Sequence, residues 1–284
     1  MKQNISKGNK TVDIKEVFSS KNPRLAKVIP GFVFRYIKRI IHEDFINYFL
    51  DKYGDKYGVE FADASIEDYQ VTVKTVGMEN VPKEGRFIFA ANHPLGGFDG
   101  IIFIHLLAKM GFKIKVLVND LLMNIRNLGP VFIPVNKHGG LSREVIDKID
   151  EAFESDTQLL TFPSGMVSRR IKGKITDLEW HKSFIVKAIK HERDVIPVHF
   201  SGRNSSFFYN LYSLRKFFGI KANLEMFYLM DETQKHRKET ITVTFGKPIS
   251  FQVFDKSRKA ADWAALVKDH VYKLPGNSQI DFKA

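Results

Sequence analysis

Residues 90–100 read AANHPLGGFDG and join an apolar stretch over residues 86–91 to a second apolar stretch that begins at Gly100. The first stretch has the length and composition of a buried strand, and the second is typical of a helix. The segment between them is rich in Pro and Gly, which favours a turn. The sequence therefore predicts a strand, a turn and a helix in that order, which is the repeating unit of an α/β sheet.

The alternation of short strands and helices extends from Gln70 towards the end of the chain. The predicted strands cover residues 71–76, 86–91, 113–118, 131–135, 158–162, 195–200 and 240–245, and the predicted helices cover residues 100–110, 142–153 and 181–191. This order predicts an α/β fold in which helices flank a partly parallel central sheet.

A different pattern precedes the alternation. Apolar residues recur at helical spacing from Pro30 to Leu50, while Arg35, Lys38 and Arg39 lie on other faces. Such a helix either packs on the domain or lies on a membrane with its cations at the lipid phosphates, and the two interpretations are compatible. We predict an N-terminal amphipathic helical segment, residues 1–69, and an α/β domain, residues 70–284.

A second amphipathic pattern covers residues 207–218, where six apolar positions accompany one Arg and one Lys. Core packing and a lipophilic flap both explain it.

Composition restricts the class of function. The 284 residues include 44 Lys and Arg against 32 Asp and Glu, giving a formal net charge of +12, and there is no Cys. The absence of Cys excludes a disulfide framework, a thiolate metal site and a cysteine nucleophile. The positive charge favours an anionic partner, namely nucleic acid, a phospholipid surface or a phosphorylated substrate. Without a signal peptide or an apolar run near the ~20 residues of a membrane span, we expect a cytoplasmic protein.

His93 directly follows the predicted strand, at the edge of the sheet where α/β proteins bind ligands. The Asp99 carboxylate can accept the Nδ1 proton of His93 and leave Nε2 free as a base. Gly96 and Gly97 allow a close approach of the backbone. No Ser or Cys nucleophile is nearby in the sequence, so the pair would activate an acceptor hydroxyl or amine directly. Alternatively, Asn92 and Asp99 only cap the turn and the helix.

Three further segments place strand ends beside polar or basic residues. Residues 160–170, LTFPSGMVSRR, predict a strand, a tight turn and a basic pair that can bind an anion. Residues 129–142, GPVFIPVNKHGGLS, place Lys137 before the start of a helix, which is a second potential anion site. An ordinary loop explains either segment as well. Residues 195–203, VIPVHFSGR, predict an interior strand in which His199 is a structural residue.

Taken together and in this order, these segments resemble the motifs of the glycerolipid (lysophospholipid) acyltransferase family over about residues 70–250. The matching positions are Asn92, His93 and Asp99 in the first motif, Gly129–Lys137 in the second, Phe162, Pro163, Gly165, Ser168 and Arg169 in the third, Ile196, Pro197 and Val198 in the fourth, and Phe245–Ile249 in a terminal segment.

The resemblance implies an O-acyltransferase of phospholipid or amino-acid lipid biosynthesis. Its acyl donor is expected to be a thioester of CoA or of acyl carrier protein, and its acceptor the hydroxyl of a lysophospholipid or another monoacyl lipid. No metal or redox cofactor is implied. His93 and Asp99 are the implied catalytic residues, with backbone amides near Gly97 or Gly165 stabilising the oxyanion. The implied substrate-binding residues are Asn92, Gly96, Gly97, Lys137, Phe162, Pro163, Ser164, Gly165, Arg169 and Arg170.

The sequence departs from the family pattern at four places. Five residues separate His93 from Asp99, where the family usually has four, and Ser164 and Val167 replace a Glu and an Arg of the third motif. Pro134 and Val135 disturb the basic end of the second motif. Either phosphate binding shifts to Arg169, Arg170 and Lys137, or the headgroup is not the usual glycerol phosphate. This variant resembles the branch called hemolysin-associated acyltransferases, which is similar to enzymes that acylate ornithine or glycine lipids.

Two other functions are compatible with parts of the sequence. A non-catalytic protein that binds lipid surfaces would need only the helix at residues 30–50 and the aromatic segment at residues 207–218. Nucleic-acid binding is suggested by charge alone, and no recognition module accompanies it. We therefore expect an anionic membrane surface, at the inner face of the cytoplasmic membrane, and acyl carrier protein as partners, and no nucleic acid.

Overall fold

The protein was analysed as a computed structural model that describes residues 12–21, 23–118, 123, 125–135 and 143–284. Its helices are α1 Ile14–Lys21, α2 Pro23–Val28, α3 Gly31–Ile40, α4 Glu43–Tyr53, α5 Val59–Tyr69, α6 Gly97–Lys109, α7 Arg143–Glu154, α8 Ser183–Lys190, α9 Ser206–Phe217, α10 Leu229–Lys235 and α11 Ala260–Val271. Its strands are β1 Thr72–Val76, β2 Phe87–Ala91, β3 Ile114–Val118, β4 Phe132–Pro134, β5 Gln158–Thr161, β6 Arg169–Ile171, β7 Lys174–Thr176, β8 Asp194–Phe200 and β9 Thr240–Phe245.

Seven of these strands form one sheet in the order β1-β9-β8-β2-β5-β3-β4, so β2 is the middle strand. The pairing of β8 with β9 is antiparallel, and the remaining pairs of this sheet are parallel. The predicted α/β class with a partly parallel central sheet is therefore confirmed. All seven predicted strands are present, and no strand begins or ends more than one residue from its predicted bound.

Helices cover both faces of this sheet. On one face, Ile88 and Ala90 of β2 pack in a core that includes Trp180, Phe184 and Trp263, from around α8 and α11. On the other face, Phe89 of β2 lies 5.4 Å, centroid to centroid, from Phe103 of α6. Burial on both faces explains why the strand is apolar at every position rather than at alternate ones.

A two-stranded hairpin, β6 and β7, lies outside the main sheet and was not predicted. Its turn residues Lys172 and Gly173 both have positive φ angles, 47° and 81°. Two-residue hairpin turns of this kind match the twist of the flanking strands. A Lys-Gly turn between two three-residue strands offers little signal in a sequence, since Lys rarely adopts a positive φ.

Contacts within the chain define two compact units. The first comprises the described residues up to Lys56 together with Ser205–His236, which are inserted between β8 and β9. The second, Tyr57–Asn204 and Arg237–Ala284, contains both sheets. Helix α5 belongs to the second unit, in which the ring of Tyr69 lies 5.0 Å, centroid to centroid, from that of Phe98. We predicted a domain boundary after residue 69, and this remains a prediction. The contacts divide the chain after Lys56 instead and add Ser205–His236 to the first unit.

In the first unit, the helical pattern of residues 30–50 is divided into α3 and α4. His42, between them, has a φ of 56°, in the left-handed region. Its Nε2 atom lies 2.9 Å from Oδ1 of Asp231, a contact between distant parts of the chain that holds this conformation. Lys38, predicted to meet lipid phosphates, instead contacts Asp13 and Glu43, each at 3.2 Å. Among the described residues, no helix combines the length and the apolar character needed to cross a bilayer.

Arg193, which directly precedes β8, joins the end of α7 to the start of β5 in the second unit. Its fully buried guanidinium donates to the carbonyl oxygens of Phe153 at 2.7 Å and Thr157 at 2.8 Å, and also to that of Ser155. These carbonyls terminate α7 and precede β5, so the cation caps the negative end of the helix. Burial lowers the pKa of Arg193 to about 10, which still leaves it charged near neutral pH.

We predict that Arg193→Met lowers the free energy of unfolding by about 3 kcal/mol, because several buried carbonyl groups lose their donors. Urea denaturation followed by circular dichroism measures this loss. The matched control is Arg86→Met, since Arg86 is only partly buried and donates to the neighbouring carbonyl of Glu154 at 3.1 Å. It should cost about 1 kcal/mol or less. Equal losses for the two variants would contradict the role assigned to Arg193.

Candidate active site

The carboxyl ends of β2 and β5 bring two predicted site residues together. The strands pair in parallel, with Ala90 opposite Thr161, so the residues that follow them leave the sheet side by side. The ring of His93 stacks on that of Phe162, with centroids 4.1 Å apart and an interplanar angle of 23°. The site thus lies at the carboxyl edge of the middle strand, where open α/β sheets bind ligands.

Asp99, in the first turn of α6, orients the imidazole of His93. Its Oδ2 atom lies 3.0 Å from Nδ1 of His93 and accepts the backbone N–H of Leu95 at 2.9 Å. Gly96, with a φ of 76°, allows the turn that brings the carboxylate back to the ring. A carboxylate at Nδ1 selects the tautomer with the proton on that nitrogen, so Nε2 carries a lone pair.

Complete burial raises the pKa of the Asp99 carboxyl above its usual range, and the hydrogen bond from His93 opposes that shift. The capping alternative for Asp99 accounts for one contact only, the amide of Leu95. It leaves the contact with His93 unexplained, and the helix cap itself is Gly96, which has no side chain.

Asp177 holds the backbone of His93 and was missed by the sequence analysis. This fully buried carboxylate accepts the His93 amide at 3.2 Å, the Ser168 hydroxyl at 2.6 Å and the Trp180 indole N–H at 2.8 Å. The amide of Ser168 in turn donates to the carbonyl oxygen of His93 at 2.8 Å. Because 84 residues separate Asp177 from His93, no local spacing in the sequence indicates their contact.

Asn92 joins β2 to β8. Its Oδ1 atom accepts the amide of Phe200 at 2.7 Å, and its Nδ2 atom donates to the carbonyl oxygen of the same residue at 3.0 Å. The side chain is buried and continues the hydrogen bonding of the two strands beyond their ends. In this structure Asn92 therefore positions the strand ends rather than facing an open site.

The turn after β5 is closed on itself. The amide of Gly165 donates to the carbonyl oxygen of Phe162 at 2.8 Å, and the hydroxyl of Ser164 donates to that of Met166 at 2.6 Å. The Pro163 carbonyl accepts the amide of His181 at 2.9 Å. The amide predicted to stabilise an oxyanion at Gly165 is therefore engaged within the turn. Gly97, by contrast, is exposed at the start of α6, where first-turn amides lack intrahelical acceptors.

The cations predicted to hold an anionic headgroup are placed very differently. Arg169 is fully buried, and its Nη1 atom donates to the carbonyl oxygens of Val167 and Ser168 at 2.5 and 3.2 Å. Arg170 is partly buried in β6, and Lys137 lies outside the described residues. Arg169 therefore stabilises the loop that carries Ser168, and this structure does not present it to a ligand.

His199, which we predicted to be a structural residue, is partly buried on β8. Burial lowers its pKa to about 4, so its ring is neutral near neutral pH. It lies 5.7 Å, centroid to centroid, from the ring of Tyr272, whose hydroxyl accepts the amide of Asp177 at 2.7 Å.

Comparison with known proteins identifies the family. The chain is 50% identical over 264 residues to a lyso-glycine lipid O-acyltransferase of Bacteroides thetaiotaomicron, covering 93% of this chain and 97% of the relative. It is 47% identical over 264 residues to an enzyme of the same name from Phocaeicola vulgatus, covering 93% and 95%.

A solved structure, the 1-acyl-sn-glycerophosphate (LPA) acyltransferase PlsC of Thermotoga maritima, matches with a TM-score of 0.44 at 18% identity, over 87% of this chain and 94% of that one. A sequence model described as acyltransferase matches residues 16–279. Since this match and the two relatives each span most of the chain, the protein belongs to the acyltransferase family.

Proposed function

We propose that this protein transfers a fatty acyl chain from an acyl thioester to the hydroxyl of lyso-glycine lipid, with His93 as the general base. The observation that carries the proposal is the 3.0 Å contact between Nδ1 of His93 and the buried Asp99 carboxylate at the end of the middle strand. The names of the two relatives, which match over nearly their whole length, support the choice of acceptor.

The serines near His93 are arranged for structure and not for attack on the substrate. The hydroxyl of Ser168 donates to Asp177, and that of Ser164 donates to the carbonyl oxygen of Met166. Neither hydroxyl is hydrogen-bonded to the imidazole, as the nucleophile of a serine acyl-enzyme would be. The chain contains no Cys. These features favour direct transfer between the two substrates over a covalent acyl-enzyme.

The reaction proceeds by attack of the acceptor hydroxyl oxygen on the thioester carbonyl carbon. Nε2 of His93 takes the hydroxyl proton as the new C–O bond forms, and Asp99 stabilises the resulting imidazolium. Collapse of the tetrahedral intermediate breaks the C–S bond, and the proton passes from Nε2 to the leaving thiolate. The products are the ester of the acceptor lipid and a free thiol.

The first turn of α6 supplies the electrostatic stabilisation of the oxyanion. The exposed backbone at Gly97 lies at the positive end of the helix dipole and close in sequence to His93 and Asp99. Apart from Gly97, its two chain neighbours and the nearby helix backbone, no heavy atom lies within 4 Å of the position that a Cβ at Gly97 would occupy. The amide of Gly97 replaces that of Gly165 in this role.

The departures in the third motif favour a headgroup other than glycerol phosphate. Val167 stands where the family has an Arg, and Arg169 is buried. A glycine headgroup joined through its nitrogen bears a carboxylate, which has less charge than a phosphate monoester and needs fewer cations. CoA and acyl carrier protein are both suitable thiols, and the inner face of the cytoplasmic membrane is the proposed location.

We predict that His93→Gln lowers the rate of acyl transfer on the order of 10²–10⁴-fold, because the base is lost while the size of the side chain is kept. The measurement is thiol release from an acyl thioester together with mass spectrometry of the lipid product. A second His–Asp pair supplies the control, since Nδ1 of His105 lies 2.6 Å from Oδ1 of Asp63. His105→Gln should leave the rate near that of the wild type. Lipid binding without thiol release by the wild type would instead identify a non-catalytic lipid-binding protein.

Asp99→Asn should lower activity on the order of 10²–10⁴-fold without lowering stability. Burial raises the folded-state pKa of Asp99 above its unfolded value. The carboxyl group therefore contributes most to stability at pH values below its unfolded pKa, where it is protonated, and this contribution is lost as the pH rises through the folded-state pKa. The neutral amide avoids this cost near pH 7. We expect a thermal midpoint equal to or above that of the wild type. A large drop in the midpoint, with activity retained in the remaining folded protein, would contradict this role.

The acceptor itself is testable with purified lipids. We expect kcat/KM for lyso-glycine lipid to exceed that for 1-acyl-sn-glycerol-3-phosphate by at least about tenfold, since the predicted phosphate-binding Arg169 is buried. Competition between the two acceptors in mixed micelles measures this ratio directly. A preference for the phosphate-bearing acceptor would refute the assignment of the headgroup and leave the His93 chemistry intact.

A further inference from the structure

Helix α9, in the first unit, is apolar on a face that the fold leaves in water. Phe207, Leu211, Leu214 and Phe218 follow one another at spacings of four, three and four residues, which places them on one side of the helix. Phe207, Leu214 and Phe218 are each at least half exposed. The opposite side is already used for packing, since Phe208 and Tyr209 are buried. The exposed stripe is therefore distinct from the side of α9 that packs within the unit.

The end of α9 holds two adjacent aromatic rings in solvent. Phe217 is 83% exposed and Phe218 is 64% exposed. Gly219, with a φ of 66°, ends the helix, and the amides of Gly219 and Ile220 donate to the carbonyl oxygens of Lys216 and Arg215. This is the hydrogen-bonded helix ending that Gly favours.

A buried ion pair between Arg215 and Glu225 stabilises the turn at the end of α9. Nε and Nη2 of Arg215 donate to the two carboxylate oxygens of Glu225 at 2.8 and 2.9 Å. Nη1 of Arg215 also donates to the carbonyl oxygen of Ile220 at 2.9 Å. The exposed aromatic pair is thus presented by an ordered backbone, which reduces the entropy lost when it binds a surface.

The apolar stripe continues onto α3 through direct contacts. The ring of Phe207 lies 4.9 Å from that of Tyr228, and the hydroxyl of Tyr228 is 2.6 Å from that of Tyr36. Tyr36 is exposed, as is Phe32 one helical turn before it. We call this continuous surface, from Phe32 and Tyr36 through Phe207 to Leu214, Phe217 and Phe218, the aromatic face.

Positive charge accompanies the aromatic face. Neither α3 nor α9 contains an Asp or a Glu, while Arg35, Arg39 and Lys216 are exposed on them and Lys221 is exposed just beyond α9. Aromatic rings flanked by Lys and Arg suit the boundary between lipid headgroups and acyl chains. A second copy of this chain would bring the same cations together, which disfavours self-association through this face.

We propose that the aromatic face inserts into the headgroup region of an anionic bilayer, with Phe217 and Phe218 as its deepest residues. This goes beyond the proposed reaction, and it assigns membrane binding to the inserted segment Ser205–His236 together with α3. Lys38, which we had expected to contact lipid, takes no part because it pairs with Asp13 and Glu43.

The test is co-sedimentation with vesicles of equal parts phosphatidylglycerol and phosphatidylcholine, and with vesicles of phosphatidylcholine alone. The double variant Phe217→Ser/Phe218→Ser should bind the anionic vesicles at least about tenfold more weakly than the wild type, because the inserted apolar surface is lost. The control is Val186→Ser/Ile189→Ser, which removes two apolar side chains that are 46% and 43% exposed on α8 in the other unit. It should bind like the wild type.

Two further measurements separate this surface from the catalytic site and from self-association. The Phe217 and Phe218 variant should keep wild-type transfer to a short-chain, water-soluble acceptor, whereas His93→Gln should lose that transfer and keep vesicle binding. Lys216→Glu/Lys221→Glu should remove the preference for anionic over neutral vesicles. Unchanged vesicle binding by the Ser double variant would overturn the proposal, as would sedimentation of the wild type as a dimer that this variant dissociates.

Discussion

The orientation of His93 depends on two carboxylates that the fold removes completely from water. Asp99 accepts a hydrogen bond from Nδ1–H of the ring, and Asp177 accepts one from the main-chain amide of the same residue. One contact fixes the rotation and tautomer of the imidazole, and the other fixes the peptide that carries it. Each carboxylate also accepts at least one further N–H or O–H group. These bonds compensate the burial of Asp177, whereas Oδ1 of Asp99 is buried without a hydrogen-bond partner among the described residues.

The middle position of β2 explains why the site can be this rigid. Pairs on both sides, with β8 and with β5, hold the strand to its last residues, and Asn92 extends the pairing to Phe200 beyond the end of β2. The chain then leaves the sheet with Phe162 beside it, and the two rings stack. A reacting group at an edge strand would have lacked neighbours on one side. His93 and Phe162 lie in the loops that directly follow β2 and β5, and Asp99 lies in the first turn of α6, so regular structure anchors each of these residues.

Charge is distributed over the molecule in two distinct ways. At the site, Arg169 is buried and turned towards backbone carbonyl groups, so it stabilises a loop. In the first unit, Arg35, Arg39 and Lys216 remain exposed beside aromatic side chains. The composition gives the surplus of Lys and Arg for the chain as a whole and does not assign a role to any single residue. The role of each cation depends on whether the fold buries it. The same holds for Lys38, whose position on a helix suggested a lipid contact and whose actual partners are carboxylates.

The sequence by itself determined the class of the fold and the seven strands of the main sheet, because the pattern of each element depends on neighbours within about ten residues. Hydrophobic periodicity and turn residues act over that range. The sequence also offered the pairing of His93 with Asp99, beside the alternative of a helix cap, and the structure decided between the two. Only the tertiary structure decided that β2 is central, that Asp177 holds His93 from 84 residues away, and that Asn92 and Arg169 stabilise loops and strand ends. It also decided that His42 interrupts the N-terminal helix, through a contact with Asp231. Burial and long-range hydrogen bonds arise when distant segments pack together, and a local pattern carries no record of which segments meet.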